Sequence, residues 1–155
     1  MAHAEKRLEE MGITLPPVDR KGKAMRPLIQ EGNLLFMSGH GCELQEGGII
    51  YEGKIGGELT EEQGYEAARH VGKNLLAALK DYLGDLDRVE RIVKVLGFVA
   101  STPDFHRQPA VMHGFSDLMV EVFGERGMHA RSAIGTNVLP ANQPVEIEMI
   151  VKIRD

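Results

Sequence analysis

Arg131 lies in strand-like sequence, between Ala130 and the apolar run that follows Ser132. A guanidinium there is costly to bury unless it meets an anion, and its planar fork matches a carboxylate. The anion has two possible sources. One is the protein itself, through a structural salt bridge to Glu146 or Glu148; the other is a substrate. Glu146 and Glu148 share one face of the last strand-like run. Either could serve as a general acid or base if burial near Arg131 tuned its pKa, and otherwise the pair is a solvated face.

The remaining candidates are weaker. Six histidines are present (His3, His40, His70, His106, His113 and His129), with no His-Glu-x-x-His pattern, and Cys42 is the one cysteine. No protein-held metal and no intrachain disulfide is expected. His129, two residues before Arg131, can share its pocket. His40 follows Ser38-Gly39 at a strand end. Ser38 lacks the Gly-x-Ser-x-Gly elbow of a serine hydrolase. Gly39, Gly41, Gly47 and Gly48 form neither a dinucleotide fingerprint nor a P-loop, and they read as tight turns.

The elements that must position these groups come from patterning. Residues 3–11 predict a short helix with Ala4, Leu8 and Met11 on one side, ended by Gly12 and Pro16-Pro17. Residues 19–24 read as polar loop. Strands are predicted around Leu28-Ile29, at residues 34–38 and at Ile49-Ile50-Tyr51. Thr60-Glu61-Glu62-Gln63 is a capping box that opens a helix. Ala67, Val71, Leu75, Leu79 and Leu83 form its buried stripe, and Gly84 closes it. Gly72 costs roughly 1 kcal/mol against Ala inside a helix, a cost that close approach of a strand would repay. Residues 91–100 are apolar on both faces, as in a central strand. A second helix is predicted from near Pro109 to Gly124. Strands follow at 130–138 and 145–153, the latter with Val145, Ile147, Met149, Val151 and Ile153 on one face.

The order β-β-β-α-β-α-β-β gives an α+β fold, one sheet with two helices on one face. The other face needs a cover that 155 residues do not supply, so self-association is expected. A net charge of −5, with no basic run beyond Arg20, Lys21, Lys23 and Arg26, argues against nucleic acid as the main partner. The N-terminus has no apolar signal core and no run is of membrane-spanning length, so a cytoplasmic protein is expected.

Two segments carry a family resemblance. Gly32-Asn33-Leu34-Leu35-Phe36-Met37-Ser38-Gly39 resembles the Gly-Asn-hydrophobic-Ser-Gly signature of the RidA/YjgF family. Ala130-Arg131-Ser132-Ala133, Leu139-Pro140 and Val145-Glu146-Ile147-Glu148 resemble its C-terminal signature, and Asn74-Leu75 and residues 95–99 also fit. The similarity runs from about Met25 to Ile153, with residues 1–24 as an N-terminal extension to a single domain at 25–155. It implies a chorismate-mutase-like fold with one mixed sheet, and a homotrimer with sites between subunits. It also implies hydrolytic deamination of small enamines and 2-imino acids, such as 2-iminobutanoate and 2-iminopropanoate, without a cofactor. Arg131 would hold the substrate carboxylate and Glu146 would position or activate water, with Ser38, Gly39, Ala133 and His129 lining the pocket. A noncatalytic trimer that binds and senses small carboxylates is the competing class, and an endoribonuclease or translation inhibitor, a label that some relatives carry, is a third that the acidic balance disfavours. The chain departs from the family pattern at Met25, where a tyrosine is usual, at Ala133, where cysteine is common, and at Met112 or His113, near an expected asparagine. His129 or His113 could replace the lost polar contacts.

Overall fold

Alternation along the last strand decides the architecture. In β5 (Val145–Ile153) every odd-numbered residue is buried, while Glu146, Glu148, Ile150 and Lys152 look the other way. The computed structural model describes residues 3–18 and 24–155. Its elements are α1 (His3–Glu10), β1 (Leu28–Glu31), β2 (Leu34–Met37), α2 (Glu61–Leu83), β3 (Val89–Ala100), α3 (Gln108–Phe123), β4 (Ala130–Thr136) and β5. One mixed five-stranded sheet has the order β1-β2-β5-β3-β4, with β3 and β4 parallel and the other neighbours antiparallel.

α2 begins where its capping box forms: Gln63 N–H donates to Thr60 Oγ1 at 3.1 Å, and Thr60 N–H donates to Gln63 Oε1 at 2.9 Å. Two orphan donors are thereby satisfied, a contribution of about 1 kcal/mol. Gly84, at φ 78°, ends the helix. α2 and α3 pack over the odd face of β5. The core joins Leu75, Leu76 and Leu79 of α2, Phe115, Leu118 and Met119 of α3, and Val95, Ile147 and Val151 of the sheet. The two helices approach very closely at Gly114, where a Cβ would run into the Tyr65 carbonyl. α1 adds Ala4 and Leu8 to the same core. Its first N–H groups donate to the Asp87 carboxylate, which also pairs with Arg126.

Two expectations change. Ile49-Ile50-Tyr51 is not a strand: Ile49 makes one bridge to Glu43, and the three side chains pack half-buried against the core between glycine turns. The observed order after α1 is therefore β-β-α-β-α-β-β. Gly72 makes room for a helix, not a strand, since a Cβ there would press on Leu118, Phe115 and Met119 of α3. The polar loop predicted at 19–24 lies mostly outside the described residues, as do Arg20, Lys21 and Lys23 of the basic run.

The even face of the sheet carries no helix among the described residues. Phe36 and Ile134 are 43% and 46% exposed there, beside half-buried Leu96, Phe98 and Ile150. A shallow depression of about 210 Å³ opens on this face, lined by Phe36, Lys94, Leu96, Glu148 and Ile150 among others.

Candidate active site on two faces of one sheet

β4 is an edge strand, and its register on β3 sets Arg131 opposite Val95 and Ala133 opposite Gly97. Paired residues share a face. Val95 is fully buried in the helix-covered core, and a Cβ on Gly97 would run into Met112 of α3. Arg131 and Ala133 therefore look toward α3. One Arg131 Nη1 donates to Ser116 Oγ at 3.0 Å and to His113 Nδ1 at 3.2 Å. Ser116 Oγ also lies 2.9 Å from His129 Nε2, and His129 Nδ1 lies 2.6 Å from the Gly127 carbonyl oxygen.

These partners fix the protons. A carbonyl only accepts, so His129 carries its proton on Nδ1 and its Nε2 accepts from the Ser116 hydroxyl. Burial, and secondarily the Arg131 charge, hold His129 below its ordinary 6.5, against the opposing pull of the Gly127 hydrogen bond. Burial also lowers the Arg131 pKa, with Asp117 acting the other way. Among the described residues Arg131 enters no ion pair. Its polar contacts are a hydroxyl and an imidazole.

Glu146 and Glu148 lie opposite Phe98 and Leu96, on the other face. The sheet itself separates them from Arg131, so the internal salt bridge considered from sequence does not form. Glu146 instead meets the loop after β2. His40 and Ile147 exchange backbone hydrogen bonds at 2.9 and 3.0 Å, which seats Ser38 and Gly39 beside it. A Cβ on Gly39 would lie 2.7 Å from Glu146 Oε2, so glycine is what lets the carboxylate cross this backbone. Ser38 Oγ donates to the Arg26 carbonyl at 2.6 Å. Burial, then Glu148 and Glu43, raise the Glu146 pKa above its ordinary value, with His40 opposing. A carboxyl so placed exchanges protons closer to neutrality than a solvated one.

The six candidate residues thus fall into two groups: Arg131, Ala133 and His129 toward α3, and Ser38, Gly39 and Glu146 on the open side. Sequence reasoning missed Ser116. The available signal was its spacing from His113, three residues along one helix and hence on one face. It also missed Gln143, which is buried. Its Oε1 accepts from Cys42 N–H at 2.7 Å and its Nε2 donates to Glu43 at 3.1 Å. With Asn74 Nδ2, which donates to the Gly41 carbonyl at 2.9 Å, it braces the strand end that carries Gly39. Met112 is buried in the core, Met25 is 56% exposed, and burial pushes the Cys42 thiol up, which leaves it a packing residue. Among the described residues no group of three or more His, Cys, Asp or Glu could hold a metal ion, and no helix is long and apolar enough to cross a membrane.

The model of the family described as "YjgF/chorismate mutase-like, putative endoribonuclease" matches residues 5–152. The chain belongs to the YjgF family. Protein TCP17 of Trypanosoma cruzi is 37% identical over 149 residues, covering 96% of this chain and 92% of that protein. The crystal structure of Atu1372, a protein of unknown function from Agrobacterium tumefaciens, is 40% identical with a TM-score of 0.90, covering 98% and 94% of the two chains. That of a putative endoribonuclease from Shewanella oneidensis is 31% identical with a TM-score of 0.91, covering 97% and 99%. The resemblance carried by the Ser38-Gly39 and Arg131 segments therefore extends to nearly the whole YjgF-type chain.

Proposed function

We propose that the protein is a homotrimer that hydrolyses small 2-imino acids to 2-oxo acids and ammonia, at sites that each join Arg131 of one subunit to the partner subunit's Glu146. The observation that carries this reading is the half-buried Arg131 guanidinium, which hydrogen-bonds a hydroxyl and an imidazole and forms no salt bridge among the described residues, Asp117 acting on it only from beyond ion-pair distance. A cation built into an edge strand without its anion is a receptor for one. The two-faced placement of Arg131 and Glu146 requires a second copy, and the apolar side chains on the open face supply a surface for it. The YjgF family resemblance supports a trimer as that assembly.

The chemistry asks little of the protein. Arg131 grips the substrate carboxylate and so orients the adjacent C=N. The protonated imine carbon is already electrophilic. Water adds to it and gives up a proton to Glu146, whose raised pKa suits that exchange. The carbinolamine nitrogen takes that proton back from Glu146 and leaves as ammonia with its bonding pair, while the hydroxyl oxygen closes the C=O and gives its own proton to the freed Glu146 carboxylate, which passes it to the departing ammonia. A cytoplasmic setting fits such substrates, which pyridoxal-phosphate enzymes release.

The test generates 2-iminobutanoate or 2-iminopropanoate in situ and follows 2-oxo acid release. Wild type is expected to accelerate release, and Arg131→Ala to lower kcat/KM by about a hundredfold to a thousandfold. No acceleration on any imine, with 2-oxo acids still bound, would establish a noncatalytic carboxylate sensor instead. Ribonuclease activity that survives Arg131→Ala would point to a contaminant or another site.

A further inference from the structure

The Arg131 cluster contains a directed chain of hydrogen bonds that the proposed reaction does not use. Arg131 Nη1 donates to Ser116 Oγ at 3.0 Å, Ser116 donates to His129 Nε2 at 2.9 Å, and His129 Nδ1 donates to the Gly127 carbonyl at 2.6 Å. Each link fixes the next. The Gly127 carbonyl oxygen cannot donate, so neutral His129 carries its proton on Nδ1 and offers a bare Nε2; that nitrogen takes the hydroxyl proton and leaves the Ser116 lone pairs facing the guanidinium. His113 Nδ1 must likewise be bare, because arginine always donates. Packing locks the chain. The His129 ring stands edge-on to Phe115 at 5.7 Å, and a Cβ at Gly127 would run into the Met119 carbonyl.

We propose that Ser116, oriented by neutral His129, is a positioning residue that aims the Arg131 fork at the substrate carboxylate, so that protonation of His129 weakens carboxylate binding. This deepens the deaminase reading and rests on it for the identity of the anion. Protonated His129 would have to donate through Nε2, turning Ser116 away from its present orientation and setting an imidazolium beside a guanidinium. The charged and titratable groups around the chain are His113 and Asp117 on α3, Arg131 on β4, and Tyr65 on α2, whose hydroxyl donates to Asp117 at 2.7 Å. Arg126 is turned away, to Asp87 and the Val89 carbonyl. Lys94, on β3, reaches Ser132.

The test measures binding of 2-oxobutanoate by calorimetry, and KM and kcat on the imine, across the pH range below 6.5. Ser116→Ala is expected to raise Kd and KM about fivefold to tenfold with kcat nearly unchanged, the effect of losing one typical hydrogen bond. Ser116→Thr, which keeps the hydroxyl, is expected to restore both. In wild type Kd rises as pH falls through the His129 pKa; in His129→Phe, which keeps a ring against Phe115, Kd is already raised and that rise is lost. Wild-type affinity in Ser116→Ala, or an acid limb that persists in His129→Phe, overturns the inference and leaves the deaminase reading standing. Binding without turnover in wild type overturns the deaminase reading alone. Absence of 2-oxo acid binding in wild type overturns both.

Discussion

The helix-covered face and the open face of the same sheet are made of the same strands but obey different rules. On the covered side Val95, Ile147, Met149 and Val151 meet α2 and α3, and glycine appears where a side chain would collide, as at Gly97 and Gly114. On the open side charged and apolar residues are mixed: Lys94, Glu146, Glu148 and Lys152 alternate with Leu96, Phe98 and Ile150. The first surface is finished within one chain. The second leaves large apolar groups partly exposed beside its charges, and under the proposed function a second copy covers them. The difference teaches that stability is held by the covered face, while the proposed site is divided, with Arg131 at the edge of the first face and Glu146 on the second.

That contrast can be broken by substitution. Phe115→Ala on the covered side should cost about 3–5 kcal/mol, read as a large fall in Tm, because it empties a fully buried site between two helices and the sheet. Next in size is a complementation experiment on the split site. Arg131→Ala and Glu146→Gln are each expected to lose nearly all activity, Arg131→Ala by about a hundredfold or more. Co-refolded in equal amounts, they should regain activity at about one site in four, where an intact Arg131 meets an intact Glu146 from another copy. No recovery in verified mixed oligomers would place both groups in one chain's site. Phe36→Asp on the open side should change the stability of the chain by under about 1 kcal/mol while shifting the solution mass toward the monomer, measured by light scattering. An unchanged mass would deny the open face its role.

The smallest effect concerns Glu146 itself. Its folded pKa is raised, so the folded state holds the proton more tightly than the unfolded one. The associated stability is present below the ordinary 4.5 and is lost as pH rises through the folded value. Glu146→Gln should therefore raise Tm slightly at about pH 7 and leave it unchanged at about pH 4. A gain that is equal at both would point to packing instead of charge.

Legibility differs in the same way across the molecule. The covered face could be read because burial imposes a period: the α2 stripe, its capping box and the odd-numbered residues of β5 all appear where the pattern puts them. Ile49-Ile50-Tyr51 misled because β-branched composition does not supply a neighbour to pair with, and glycine turns on one side leave Ile49 a single bridge. Gly72 misled because a missing Cβ signals close approach but not by what. In the candidate site, Arg131 could be singled out because a cation in an apolar strand is costly. Ser116 could not, since a helical serine looks like any other until the fold brings His129 and Arg131 to it. That Arg131 and Glu146 face opposite ways depends on how strands pair, and a strand's own sequence does not state its neighbour.

A β-sheet is a wall one backbone thick, and the edge strand that carries Arg131 holds it on the far side of that wall from Glu146. Under the proposed chemistry a solitary chain owns both halves of the machinery and can close neither on a substrate. Turnover per chain then depends on abundance: it should fade on dilution below the assembly constant and level off above it, so that the cell's supply of the protein sets how well each copy works as well as how many there are.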